Sequence, residues 1–392
     1  MKYRYERFGG IISVEDPPML AIVDREFMRG LGIKESGLWR DKVAENHYLC
    51  APIEVHFALT NACPLGCEHC YKSSGRAEDH SMDTAEIKKI LDVLSRMGVF
   101  NVAFGGGDPV LREDLFEIGE YTASLGMVPT LTISGAFLSA DMARRLRVFE
   151  RVNVSVDGID DLYGVMRGNN YFKEADNAIG LLIKNHINTG MNTIIGRDNF
   201  DHLPEIFRYA KKKGIDEINI LRLKPSGRAI EIYEKKKATN DQNKRLMPLL
   251  ASLSDRYEIP SRIDCSLLPM FCYHNPDIDL IRKLSIFGCE PANVTLGITS
   301  NGYVNGCSFM SEDSVPAIDL EDFWDSHEGF SRLRTWTDNA PEPCRSCRYL
   351  DICRGGCKVV SMEQKGSMAN PDPDCPVVVE YRDRCNKKGR AI

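Results

Sequence analysis

Between Ile53 and Leu223 the chain alternates two hydrophobic rhythms. Short runs rich in β-branched and aromatic residues predict strands over Ile53–Leu59, Asn101–Phe104, Pro129–Ser134, Val152–Val156, Thr189–Ile195 and Glu217–Leu223. Apolar positions at helical spacing predict helices over Thr84–Met97, Leu115–Leu125, Ala140–Val148, Phe172–Lys184, Leu203–Lys213 and Asn243–Ser254. Asp83 followed by Glu86 reads as a helix cap and its reciprocal partner. Gly98, Gly126 and Gly214 each fall just past a helix, where a left-handed residue closes the last turn. Six β–α repeats with short connections predict parallel strands joined by right-handed crossovers. An open sheet and a partial barrel satisfy that periodicity equally.

The flanks differ. Phe8–Val14 and Met19–Val23 surround the turn-like Glu15-Asp-Pro-Pro18, and Arg25–Leu31 could form a short helix. This predicts an N-terminal hairpin packed on the repeat, or an edge to which a peptide could add as a strand. The charged stretch around Glu234-Lys-Lys-Lys237 reads as a solvated face, and from Cys289 onward strands are short and turns frequent. The expected organisation is an extension at 1–49, a β–α unit at 50–230, a helical bridge at 231–288 and a small domain at 289–392. There is no long repeat or low-complexity tract.

A length of 392 residues suits two or three domains, and a net charge of −6 gives no bulk attraction to nucleic acid or anionic lipid. No apolar run approaches a membrane span, and the first residues lack the apolar core of a signal peptide. A soluble, cytoplasmic protein is expected. Fourteen cysteines then stand out, because cytosolic thiols stay reduced. They are clumped: Cys63, Cys67 and Cys70 lie together, and ten more run from Cys265 to Cys385. Short spacings favour metal ligation.

The sequence Thr60-Asn-Ala-Cys63-Pro-Leu-Gly-Cys67-Glu-His-Cys70-Tyr71 directly follows the first strand of the repeat, with spacing C-x3-C-x2-C. Three thiolates can hold three corners of a 4Fe–4S cluster and leave one iron open, as a catalytic metal site does. A zinc site, or a ferredoxin cluster completed by a distant cysteine, is the structural alternative; the position after the first strand disfavours both.

With these cysteines and the strand-end motifs that follow, the chain resembles the radical S-adenosylmethionine (SAM) superfamily. Gly105-Gly106-Gly107-Asp108-Pro109 is similar to the family's Gly-Gly-Glu-Pro run, with Asp in place of the commoner Glu. That run implies contact with the SAM amino group. Ser155-Val-Asp157-Gly158 resembles the family's Ser-x-Asp-Gly and implies contacts to SAM's ribose or carboxylate. Ser134, and Arg167 of Arg167-Gly168, match partly and are further SAM candidates; a structural ion pair is the other reading of Arg167.

Cys289, Cys307, Cys344, Cys347, Cys353, Cys357 and Cys375 resemble the seven-cysteine SPASM domain of peptide-modifying radical SAM enzymes. The resemblance implies an outer auxiliary cluster on Cys344, Cys347, Cys353 and Cys375, and an inner one on Cys289, Cys307 and Cys357. The fourth inner ligand is open between Cys265, Cys272, substrate and solvent. Cys50 and Cys385 read as ordinary thiols.

Phe100–Pro109, Leu221-Arg-Leu-Lys-Pro-Ser-Gly-Arg228 and Cys353-Arg-Gly-Gly-Cys357 look like the mycofactocin-maturase type. Ser308 stands where sulfatase maturases carry an acidic residue, which disfavours formylglycine formation.

The expected fold is therefore α/β: a partial (β/α)6 barrel with a small C-terminal iron–sulfur (SPASM) domain. The expected cofactors are SAM, one SAM-binding 4Fe–4S cluster and two auxiliary ones. The implied chemistry is reductive cleavage of SAM to a 5′-deoxyadenosyl radical that abstracts hydrogen, with a ribosomally made peptide as substrate. Implied partners are a flavodoxin- or ferredoxin-type reductant and a separate leader-peptide-binding protein, without nucleic acid or membrane. The rival readings are maturation of a tetrapyrrole or of a tungsten or molybdenum cofactor, an iron–sulfur electron carrier, and a zinc-binding interaction protein.

Overall fold

Three antiparallel strands lead the chain in spatial order: β1 (Lys2–Glu6), β2 (Gly9–Glu15) and β3 (Pro18–Asp24). The computed structural model describes residues 2–15, 18–39, 48–75, 81–312 and 314–387; Asp16 and Pro17 of the expected turn lie outside them. β2, β3 and the helix Arg25–Gly30 match expectation, but β1 was not anticipated. Its pattern is inverted: Arg4 and Glu6 are the buried side chains, paired at 2.7 Å, while Tyr3 is exposed. Arg4 also donates to the carbonyls of Pro52 and Gly98, and Lys2 donates to those of Val99 and Gly126. The extension is thereby fastened to the loops at one end of the main sheet.

All six expected strands form within two residues of their anticipated ends. They are β4 (Glu54–Thr60), β5 (Asn101–Gly106), β6 (Val128–Ile133), β7 (Arg151–Ser155), β8 (Thr189–Ile195) and β9 (Glu217–Arg222). Every neighbouring pair is parallel. Two helices between them match to the residue, Phe172–Lys184 and Leu203–Lys213, and Asp83 and Glu86 form the capping box. The alternation buries Val55, Phe57 and Leu59 of β4 and Val102 and Phe104 of β5 against the helix residues Ile87, Leu91 and Leu94.

The sheet continues past the repeat. β10 (Ser261–Ile263) pairs parallel with β9, and β11 (Thr295–Ile298) pairs parallel with β4. β12 (Tyr303–Asn305) and β13 (Val315–Pro316) follow antiparallel, giving the order β10-β9-β8-β7-β6-β5-β4-β11-β12-β13. Leu296, Ile298, Val304, Trp324 and Phe330 share one apolar core with the β–α repeat. In the stretch around Glu234–Lys237, Glu234 and Lys235 are exposed and Lys236 and Lys237 half-buried. Helix Ala229–Lys236 buries Ala229 and Tyr233, and the next helix, Asn240–Tyr257, has its own capping box on Thr239.

Candidate active site

Cys63, Cys67 and Cys70 occupy one loop at the C-terminal end of β4, held from three sides. From β5, the Gly107 N–H donates to Thr60 O at 2.7 Å and the Asp108 N–H to Ala62 O at 2.9 Å. A side chain on Gly106 or Gly107 would strike the Thr60 or Ala62 carbonyl, at 2.3 and 2.2 Å, so both glycines seat the cysteine loop. Gly105 differs: a Cβ there would meet nothing within 4 Å, leaving room for a ligand over the end of β5. Asp108 is fully buried, and its carboxylate accepts from the Ser134 hydroxyl and, at 3.2 Å, from the Ser134 N–H. Burial raises its pKa despite those bonds. Its charge is felt at Cys63, so Asp108, Ser134 and Cys63 form one group.

The second side is an ion cluster. Asp157 is fully buried at the end of β7; its carboxylate meets Arg167 Nε at 2.8 Å and His69 Nε2 at 3.3 Å and accepts from the Ile194 N–H at 2.7 Å. Burial alone would raise its pKa, but Arg167 and His69 hold it at about 2. Arg167 Nη1 lies 4.0 Å from Cys67 Sγ, and the Glu68 N–H donates to the Arg167 carbonyl at 3.0 Å. The carboxylate is thus committed to protein partners. Asp157 and Arg167 thus pair with each other beside the cysteine loop, which is the ion-pair reading of Arg167. Ser155 lies in register with Asn192 of β8, half-buried at the same strand end.

The third side comes from the segment Leu221–Arg228. Arg228 donates from Nε to Cys67 O at 2.8 Å and from Nη1 to Ser74 O at 2.7 Å. Gly227 has φ +58°, and a Cβ there would meet the Cys70 and Tyr71 carbonyls at 2.5 Å. His69, Gly227 and Arg228 carried no assigned role in the sequence reading, although the run ending in Arg228 had stood out.

The donor set fits a cluster. Three free thiols lie on one loop, and the Ser74 N–H points at Cys70 Sγ at 3.4 Å. Among the described residues no three His, Cys, Asp or Glu side chains close around a single ion. Ligands of a multi-iron cluster each bind a different iron, so their sulfurs stand further apart than those around one zinc. Residues 57–210 match the radical SAM superfamily. That segment is a radical SAM domain.

The chain is 29% identical over 342 residues to mycofactocin maturase MftC of Mycolicibacterium smegmatis, covering 83% of each chain. It is 26% identical over 368 residues to AdoMet-dependent heme synthase of Oleidesulfovibrio alaskensis, covering 85% of this chain and 89% of that one. Streptococcus suis SuiB, solved with S-adenosylmethionine and with its precursor peptide SuiA, superimposes with a TM-score of 0.77 in both structures. Those matches cover 95% of this chain and 98% of SuiB, at 18 and 17% identity.

The other cysteines gather in two groups. Cys265 and Cys289 act on each other, which raises Cys265 well above the usual thiol range and lowers Cys289. Cys307 and Cys357 both sense Cys289, and burial pushes them to about 11 and about 12. In the second group Cys353 is the centre: its thiol is felt at Cys344, Cys347 and Cys375. Cys272 shares one apolar cluster with Cys347 and Cys353 and so belongs with this second group. Buried Asp372 knits the region to the sheet, accepting from the Cys357 N–H at 3.0 Å and from Arg222 Nη2 at 2.9 Å. Lys224 pairs with Asp264 beside the first group and covers the Phe309 ring at 4.2 Å. Cys50 stands apart, raised to about 11 by burial and by Glu6.

Proposed function

We propose that this enzyme is a maturase that modifies a ribosomally made peptide, using the cluster on Cys63, Cys67 and Cys70 together with two auxiliary 4Fe–4S clusters in a SPASM-type region at 289–392. When bound, cluster and SAM supply reductive cleavage of a C–S bond and hydrogen abstraction from a substrate C–H bond. The chain's part is to bind, orient and exclude water. Gly105 leaves room for the ligand, Asp108 with Ser134 presents an acceptor near Cys63, and Asp157, Arg167 and Arg228 fix the loop. Residues on two strand ends, rather than on loops alone, make that geometry stiff.

The observation that carries the reading is the direct seam between the two cysteine regions. The Ser226 hydroxyl lies between the Tyr71 and Phe309 carbonyls, at 3.2 and 2.9 Å, so the loop of Cys70 and the loop of Cys307 share one wall. A substrate held at that wall would meet both centres. Cys265 is the proposed fourth ligand of the inner group because it and Cys289 act on each other, and Cys272 is set aside for that role because it packs with Cys347 and Cys353. The names of the MftC relatives and the peptide complex of SuiB support a peptide substrate.

The heme-synthase relatives keep a tetrapyrrole as the second reading. The proposed partners are a flavodoxin- or ferredoxin-type reductant and a leader-binding protein. Incubating the reduced, reconstituted enzyme with SAM and either a short peptide encoded beside its gene or a porphyrin precursor separates the readings. A mass change on the peptide supports the proposal, and a change only on the porphyrin overturns it.

A further inference from the structure

Two lysines lie buried among the C-terminal cysteines, and they differ in how their charge is met. Lys224 has its counterion in Asp264. Lys358 is 1% exposed, and among the described residues no carboxylate forms an ion pair with it. Its Nζ donates to Arg354 O at 2.7 Å and lies 3.2 Å from the centroid of Trp336. The indole is itself fixed by an Nε1–H bond to Met368 O at 2.9 Å. A carbonyl and a ring face solvate an ammonium but do not neutralise it, and leaving a charge unpaired in the interior is unfavourable. The acidic groups whose charge reaches Lys358 are Cys289 of the first group, Cys344 and Cys353 of the second, and Asp372. Asp372 is already engaged by Arg222.

We propose that Lys358 is the shared counter-cation of the two auxiliary centres, raising the reduction potential of both. The inference rests on the auxiliary clusters of the preceding section. A cysteine-ligated cluster carries net negative charge, and its potential follows the net charge and hydrogen bonding around it. A fixed cation between two such centres favours the reduced state of each. A residue beside only one of them would tune that one alone. Lys358 directly follows Cys357 of the first group, and its Nζ is bonded to the carbonyl of Arg354, the residue after Cys353 of the second, so its effect is joint.

The test compares Lys358→Met and Lys358→Arg with the wild-type full-length chain after anaerobic reconstitution, by iron content and EPR-monitored redox titration. The barrel cluster, recognised by the change in its signal on adding SAM, is the internal reference. We expect Lys358→Met to move both auxiliary midpoints to more negative potential without moving the reference, and Lys358→Arg to restore them. Loss of auxiliary iron in Lys358→Met with retention in Lys358→Arg supports the same role. Unchanged midpoints in Lys358→Met, or equal shifts or losses in both variants, overturn it. A wild-type chain that holds only the barrel cluster overturns the auxiliary-cluster reading itself. Three clusters with an unshifted Lys358→Met variant overturn this inference alone.

Discussion

The rings of Tyr71 and Phe309 stack with centroids 4.3 Å apart and planes inclined by 32°. Tyr71 follows Cys70, and Phe309 lies two positions past Cys307, so this contact joins the loops of two proposed iron–sulfur centres. Aromatic pairing contributes about 0.5–1.5 kcal/mol beyond burial, and about 1.4 kcal/mol corresponds to a tenfold change. Phe309→Ala is therefore expected to lower product formed per SAM cleaved by about two- to twelvefold, with iron content unchanged. Chromatography of 5′-deoxyadenosine against product measures this; undiminished coupling would show the stack to be passive.

Iron content tests the ligand sets. If all three centres are 4Fe–4S, the reconstituted chain should approach about twelve irons, and changing Cys63, Cys67 and Cys70 together to Ala should leave about eight. SAM cleavage should vanish while the protein stays soluble. Cys344→Ala should instead weaken the C-terminal region, because metal binding there is folding energy. Equal solubility and full iron in both variants would contradict this division.

Asp157→Asn removes the partner of a buried guanidinium. Breaking one side of a buried pair costs about 3–5 kcal/mol, so urea unfolding at pH 7 should show a loss of that order. The folded-state pKa, about 2, lies below the ordinary carboxylate value of 3.8. The ionised form is thus favoured by folding. Its contribution is complete above about pH 4 and is lost as pH falls toward 2, so wild type and variant should converge over that interval. A gap that stays constant between pH 5 and pH 3 would assign the stability to another group.

The six strands and their helices were legible because alternating burial writes period 2 and period 3.6 directly into the chain. β1 was not, since its buried residues are Arg4 and Glu6, a pair whose partners lie elsewhere in the sequence. The cysteine loop was legible from spacing, and the run Leu221–Arg228 was visible as a pattern. Its task was not, because the clamp from Arg228 to the carbonyls of Cys67 and Ser74 spans more than 150 residues of chain. Asp157 and Arg167 stand beside the cysteine loop, but a motif does not show which way a carboxylate is committed. Lys358 gave no signal at all: a lysine after a cysteine is unremarkable until its buried Nζ is found on the carbonyl next to Cys353.

The last prediction concerns the N-terminal sheet. In the order β1-β2-β3 the described part of the sheet leaves β3 with one edge unpaired. Beside that edge Met19 is 51% and Ile22 44% exposed, and Phe27 and Leu31 of the following turn and helix are exposed as well. An extended peptide could add there by main-chain bonds, with its apolar side chains against these residues. Removing residues 1–45 would also delete Arg4, Glu6 and the bonds of Lys2 to the main sheet, so truncation confuses docking with stability. The double variant Met19→Asp with Ile22→Asp leaves those anchors in place and puts two charges on the exposed face. If the edge holds a leader peptide, peptide affinity should fall about tenfold or more, since each buried aliphatic side chain is worth about 1.5–3 kcal/mol. SAM cleavage without peptide should persist, because every residue assigned to SAM follows Cys63. Fluorescence anisotropy with a labelled precursor peptide gives the affinity, and 5′-deoxyadenosine release gives the cleavage. Unchanged affinity in a folded double variant would mean that the sheet serves only to close the end of the barrel.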